Sequence, residues 1–357
     1  MQKEERRLRV GILGCGPIAQ IAHFDAVRKA RNADLHALCD LAPDLRERMA
    51  LLHQPRRVHD SLEAMLADPE LEAVIIGVAD QFHVTLAEQV LRAGKHVLVE
   101  KPLGVTIEEC EGLRDTLRAA GVVFQVGNNR RFDPGVAFAR TFAREEMGDL
   151  LALKAWYCDS TFRYTMTDNL QPLVQQSARA RRPEGNPKAD TRRYFMLTHG
   201  SHLVDTARFL GGDIVSVRAR LQEAHDAYTW FVEATCANGA LGHLDLTIPL
   251  RGDFEEGFRL YGQHGSIQGR VHLPWFHKSA EVECFSIRDR QYRRPLGEDA
   301  HSYKLQVEGF ADTILHGQPQ HGATLEDGIA AMRAMVAIAR SVERGETVQL
   351  KEVTGAV

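Results

Sequence analysis

Along the first third of the chain, short unbroken apolar runs alternate with stretches of helical period. LRVGILG (8–14) reads as a buried strand, and 17–31 as a helix with Pro17 in its first turn. ADLHALCD (33–40) is a second strand, and 41–52 a second helix with Pro43 near its start. AVIIGVA (73–79), HVLVE (96–100) and VVFQVG (122–127) are further strands. Helices are predicted at 83–93, closed by Gly94, and at 106–120, closed by Gly121. Strands and helices alternating at this spacing predict an α/β domain over 1–127, built on a parallel, doubly wound sheet.

After Gly127 the period changes. NNRRFDPGVAFARTF leads into one helix, and LLALKAWYC (150–158) is strand-like. A long polar stretch follows, then a helix over about 199–210 that Gly211 and Gly212 can close. Strand candidates come at 214–221, 229–237, 239–248, 258–269 and 280–287, several joined by Gly or Asn-Gly turns. Helices at 304–316 and 325–343 end the pattern. Residues 128–357 therefore form an expected α+β domain with a large mixed sheet. No internal repeat or low-complexity segment interrupts it.

Composition narrows the function classes. A chain of 357 residues suits two cores rather than one. Its 44% apolar and 26% charged residues are those of a globular protein. A net charge of −4 sets up no global field for nucleic acid or an anionic membrane. Nothing approaches the roughly 18 apolar residues of a spanning helix, and MQKEERRLR lacks the apolar stretch of a secretory signal. The six cysteines contain no CxxC pair, and Cys15, Cys39 and Cys236 lie in or beside apolar runs. A reduced, cytoplasmic protein is expected.

Two motifs point to a dinucleotide. In VGILGCGPIA, Gly14 and Gly16 follow a strand and open a helix that runs through Pro17, Ile18 and Ala19. Glycine there lets backbone approach a pyrophosphate, and the helix start offers N–H groups and partial positive charge. A tight turn that merely packs helix on strand is the alternative. Asp40 ends the second strand, 26 residues after Gly14. A carboxylate there accepts from ribose hydroxyls and repels a 2′-phosphate. Leu41 and Ala42 follow with no adjacent cation, so NAD is expected over NADP. A solvated strand end or a cap for the next helix is the plainer reading of Asp40.

AGKHVLVEKPLG is the most specific stretch, with Glu100, Lys101 and Pro102 at the carboxyl end of the fourth predicted strand. Here the chain resembles the Gfo/Idh/MocA oxidoreductases. The likeness extends over FHVTLAEQVLRAGKHV, VGNNRRFDP, LTHGSHLVDTARFLGG, YGQHGSIQG and GFADTILHG, nearly the whole length. It implies a Rossmann domain plus an open-faced sheet domain with a nicotinamide cofactor, and a homodimer or homotetramer. It also implies that Lys101 is the catalytic or substrate-orienting lysine, and that Pro102 often follows a cis bond. A lysine shielded from water beside a positive nicotinamide ring gives up its proton more readily, which suits exchange with an alcohol. A surface lysine after a strand is the alternative.

Relatives that oxidise inositols and sugars usually carry an Asp and, four residues later, a His. Aligning GSHLVD puts the His at His202 and the Asp position on Thr198, so the usual carboxylate is missing. His199 is adjacent and a possible substitute. His199, His202 and Asp205 are three apart, near one helix face. His202 is expected to transfer a proton or bind substrate, with Asp205 orienting it. No metal is expected, because hydride transfer needs no activated water, although HxxHxxD leaves a metal cluster open, as it does a helix-capping cluster. Asn128 and Arg131 follow the fifth predicted strand and are candidates for cofactor and substrate contact. An ion pair between domains is an equal reading for Arg131 and Asp133. His83 opens a helix near the cofactor, but ADQFH stands where relatives have TPNxxH, so a local role is as well supported.

Residues 176–194 carry six Arg or Lys against two acids, and are either a lid or basic rim over the substrate or a solvated loop. Tyr157, Phe162, Tyr164, Trp230 and Trp275 are candidates to stack on sugar rings or to pack the core. The expected activity is reversible hydride transfer between NAD and a secondary alcohol of a sugar, glycoside or cyclitol. The rivals are a glycosidase that oxidises transiently with tightly held NAD, and a non-catalytic NAD-binding regulator.

Overall fold

The computed structural model describes residues 6–160, 174–180, 189–298 and 300–357. These residues divide into two compact units. One is drawn from Met1–Asn129, Gln171–Pro187 and Tyr303–Gly328, the other from Arg130–Leu170, Lys188–Ser302 and Ile329–Val357.

In the first unit, strands β1 (Leu8–Leu13), β2 (Ala33–Cys39), β3 (Arg57–His59), β4 (Ala73–Ile76), β5 (His96–Val99) and β6 (Phe124–Val126) form one sheet. Their order is β3-β2-β1-β4-β5-β6. Every pair is parallel. This is the doubly wound Rossmann arrangement, and ligands of such sheets bind beyond the strands' carboxyl ends. Val10, Ile12, Ile75, Val97 and Leu98 are buried, as unbroken apolar runs require of a sheet covered on both faces. The short strand β3 escapes the sequence pattern because Arg57 and Val58 are exposed and no apolar run marks it.

Five helices belong to this sheet: α1 (Phe24–Lys29), α2 (Pro43–His53), α3 (Leu62–Leu66), α4 (His83–Arg92) and α5 (Ile107–Ala120). The helix expected from Pro17 does not run as uniform α-helix, because Ala19–His23 winds as a π turn before α1. A capping box starts α5: Thr106 accepts from Glu109 N–H, and the Glu109 side chain accepts from Thr106 N–H. Glycine at φ +63 ends it.

Late segments complete this unit. The amide of Asn32 donates to Glu308 O (3.0 Å) and Asp312 Oδ1 (2.8 Å). Val126 N donates to Ala323 O at 2.8 Å. Both oxygens of Glu326 accept from Arg114, each at 2.8 Å. The described part of the basic stretch also lies here. Gln20 holds Gln175 through both backbone groups, and Asp44 accepts from Ser177 Oγ (2.7 Å) and Ala178 N (3.0 Å). Residues 181–188 of that stretch, with Phe162 and Tyr164, lie outside the described residues.

The second unit holds helix α6 (Pro134–Glu145), strand β7 (Leu150–Ser160) and helices α7 (Thr191–Phe195) and α8 (Ser201–Gly211). Strands β8 (Ile214–Ala224), β9 (Ala227–Cys236), β10 (Leu241–Leu250), β11 (Glu255–Gly262), β12 (Gly265–Val271), β13 (Glu281–Ser286) and β14 (Gln291–Arg293) come next. Helix α9 (Ser302–His316), almost wholly part of the first unit, helix α10 (Leu325–Arg344) and strand β15 (Val348–Gln349) end the chain order. Nine strands form one mixed sheet, β14-β13-β12-β11-β7-β10-β9-β8-β15. Within it β7 and β10 run parallel. The single strand expected at 258–269 is two, since the chain reverses at Gln263 and His264 to pair β11 with β12. The signal was hidden because both arms are strand-like and the turn between them is short.

Alternation gives this sheet two different faces. Leu153, Ala155, Tyr157, Trp230, Val232, Leu244 and Phe258 are buried. On the opposite face Lys154, Phe231, Glu233, His243 and Arg259 are exposed. One face is therefore covered and the other open. Helix α8 lies on the covered face, where a Cβ on Gly211 would stand 3.0 Å from Leu153 Cδ2. Among the described residues no helix is long and apolar enough to cross a membrane.

Candidate active site

The first unit presents its chemistry at the carboxyl ends of β1, β2 and β5. Gly14 has φ +92, and a Cβ there would stand 2.8 Å from Gly77 O, so the protein itself requires this glycine. Gly16 is different, because a Cβ there would meet no protein atom within 4 Å. Among the described residues nothing demands glycine at position 16, and the open space suits a pyrophosphate approaching the backbone. Pro17 is exposed, Ile18 half-buried and Ala19 buried. Asp40 accepts from Cys15 N at 2.6 Å and from Ala42 N at 2.8 Å. It thus ties the glycine turn to the end of β2 while remaining half-exposed.

Beyond β5, Glu100 is buried and its Oε2 accepts from Lys101 N at 3.1 Å. His23 Nε2 stands 3.0 Å from Glu100 Oε1. Burial alone would raise the Glu100 carboxyl, but His23, together with Lys101 and His83, outweighs it and holds the group below the usual carboxylate range. The Lys101–Pro102 bond is cis, as the resemblance implied. His83 is buried with Nδ1 at 2.7 Å from the Pro102 carbonyl, which therefore accepts its proton. This gives His83 a local task, holding the turn that carries Lys101. Asn128 is buried, and its Oδ1 has no partner among the described residues. An open Gly16 cradle, a carboxylate at the end of β2 and an orphaned amide oxygen after β6 fit a dinucleotide.

The second unit gathers the other candidates on the covered face of its sheet. A π turn, Met196–Gly200, joins α7 to α8 and carries Thr198 and His199. His199 Nε2 lies 2.9 Å from Asp159 Oδ2, and its Nδ1 lies 2.8 Å from Thr198 Oγ1. The Thr198 hydroxyl donates to Tyr194 O at 2.7 Å. The His202 ring stacks on Tyr157, with centroids 5.6 Å apart and planes at 3°. His199 meets the same tyrosine edge-on at 5.6 Å. The two histidines are thus brought together around Tyr157, and Asp159 joins them through strand alternation.

Asp205 is used elsewhere. Its two oxygens accept from Arg131 Nε (3.0 Å) and Nη2 (2.7 Å), a buried bidentate pair. The Arg131 guanidinium also lies over the Phe209 ring at 4.9 Å. This partnership replaces the one expected between Asp205 and His202. Arg131 is committed within its own unit, and so is Asp133, which caps α6 and accepts from Ala280 N at 3.0 Å. The adjacent Arg130 forms a second buried bidentate pair, with Glu256. Trp230 is core, and Trp275 sits in a short turn, Pro274–Phe276. For the metal alternative at 199–205, His199 and Asp205 already have protein partners. Among the described residues, the His/Asp/Glu group compact enough for an ion is His36, Asp68 and Glu70.

The sequence reading missed Asp159. The predicted strand stops at Cys158; its continuation to Ser160 puts Asp159, two residues after Tyr157, on the same face.

Comparison with known proteins agrees with this division. A family model described as "Oxidoreductase family, NAD-binding Rossmann fold" matches residues 8–128, and the "GFO/IDH/MocA C-terminal domain" matches 143–268. The chain is 25% identical to the myo-inositol 2-dehydrogenase of Thermotoga maritima, over 98% of this chain and all of that one. It is 24% identical to the 1,5-anhydro-D-fructose reductase of Ensifer adhaerens, over 96% of this chain and 98% of that protein. Among solved structures, a levoglucosan dehydrogenase in complex with NADH superposes with a TM-score of 0.78. Its identity is 20%, with 98% of this chain and 100% of that one covered, a likeness of fold.

Proposed function

The chain belongs to the Gfo/Idh/MocA oxidoreductases, with an NAD-binding Rossmann domain, and from that premise we propose that it oxidises a secondary alcohol of a sugar, glycoside or cyclitol. The observation that carries this reading is the turn at Lys101, held from behind by buried Glu100 and by His83 on the Pro102 carbonyl. A side chain that must exchange a proton in one geometry needs such a support. Bound NAD supplies the hydride acceptor. Lys101 manages the hydroxyl proton, and in the second unit Arg131 and Asp205 hold the helix on which His202 stands. Asp40 favours NAD over NADP, since its carboxylate would oppose a 2′-phosphate. The open face of the nine-stranded sheet is the proposed contact in a homodimer or homotetramer.

The test is a panel of polyols and glycosides, including myo-inositol and levoglucosan, read by NADH formation. Turnover of at least one member is expected, with NADH bound more tightly than NADPH in a fluorescence titration. Lys101→Met keeps the apolar stem and removes the amine. It should lose about 10²–10⁴ in rate while still binding NAD. Native turnover by Lys101→Met would refute the assignment.

A further inference from the structure

We propose that Asp159, held by His199, supplies the carboxylate that the chain lacks at position 198 and accepts a hydrogen bond from a substrate hydroxyl. The inference deepens the dehydrogenase reading and, for its substrate, rests on it. Asp159 would be a substrate-binding residue, and His199 a positioning residue that acts through it.

Proton placement follows from the geometry. The Tyr194 carbonyl, 2.7 Å from Thr198 Oγ1, cannot donate, so the Thr198 hydroxyl proton points to it. Thr198 Oγ1 then accepts from His199, 2.8 Å away, and Nδ1 carries a proton. At the other nitrogen, Nε2 faces Asp159 Oδ2 at 2.9 Å. A bare lone pair against a carboxylate oxygen at that distance is repulsive, so a second proton lies between them. The proton between His199 Nε2 and Asp159 Oδ2 fixes the direction of the Asp159 carboxyl group.

Both ring nitrogens of His199 are engaged. It is the carboxylate, with about four lone-pair sites on its two oxygens, that retains acceptor capacity. The pair stands among the rings of Tyr157, Tyr194 and Phe195, which suit the apolar faces of a sugar or cyclitol. Among the described residues, the titratable and charged groups facing the pair are Tyr157 on β7, Tyr194 and His202 on the helical run, and Glu256 on β11 with its partner Arg130. Thr198 is the hinge of the argument. Its hydroxyl cannot replace a carboxylate, but it fixes the His199 tautomer that lets Asp159 do so.

Two measurements on the full-length protein test this. The first is a histidine-selective NMR titration without substrate, with the His199 signals assigned by His199→Gln. In the native protein the ring should keep its second proton to a pH at least about one unit higher than in Asp159→Asn. Equal titration in the two proteins overturns the pair. The second is kinetics with myo-inositol or levoglucosan, whichever is turned over. Asp159→Asn should raise KM about 10-fold to 100-fold, the loss of one charged hydrogen bond, with NAD affinity unchanged. Adding Thr198→Asp to Asp159→Asn should recover most of that loss. A native KM in Asp159→Asn, or no recovery in the double variant, overturns the substrate role. If Asp159→Asn loses NAD affinity or melts early, Asp159→Glu decides: native KM there supports the role, and a raised KM overturns it. If the native protein turns over no member of the panel, the dehydrogenase reading fails and the substrate role falls with it, while the titration still judges the pair.

Discussion

Two glycines two residues apart are kept for different reasons. Gly14 sits at φ +92 with Gly77 O where its Cβ would go, so its constraint is internal. Gly16 has empty space at that point among the described residues, and its proposed constraint is the bound cofactor. Gly14→Ala should therefore destabilise the protein by about 1–3 kcal/mol, visible in a melting curve without any ligand. Gly16→Val should melt like the native protein and bind NAD at least about tenfold more weakly, the cost of losing one close backbone approach. Equal melting losses for both would remove the distinction. Both glycines were legible in the sequence, as were Asp40 and Lys101, because spacing after a strand is a local property. The partners of His199 and Asp205 were not. Asp159 and Arg131 lie 40 and 74 residues away, and the sheet and helix packing that unite them leave no periodic trace.

Helix α8 and the turns around it set the geometry of the second unit. The helical pattern at 199–210 marks the helix, which spans Ser201–Gly211, but not the π turn that precedes it. A π turn has no residue signature of its own. It re-aims Thr198 and His199 relative to the residues that follow, so three-residue spacing did not settle which side chains meet. The helix is pinned to the segment before α6 by Arg131 and Asp205, both buried. Removing one partner of such a pair leaves an uncompensated charge, typically about 3–5 kcal/mol. Asp205→Ala should lose that much in urea unfolding, and the Arg131→Met/Asp205→Leu double variant should lose less than either single change. A loss in the double variant equal to the sum of the single losses would mean that the pair is not coupled.

At the level of the molecule, the nine-stranded sheet carries a row of side chains that its own helices do not cover. Phe231, 52% exposed, stands on β9 opposite Asp245 on β10, with Trp156 next across on β7. An aromatic residue so exposed on an interior strand of a broad sheet fits burial against a second copy. Phe231→Glu should shift the native assembly toward monomer in sedimentation velocity, with NAD affinity intact. An unchanged sedimentation coefficient would refute the proposed homo-oligomer contact.

The composition of the first unit bears on how the chain is made. Asn32 bonds to residues near 310, Val126 to Ala323, and Arg114 to Glu326. During vectorial synthesis those partners emerge from the ribosome some 200–300 residues after the groups that await them, which at roughly 5–20 residues per second is tens of seconds. For that interval the amide of Asn32 and the edge of β6 must be met by water or by a chaperone. The cofactor-binding unit is thus translated first and finished late.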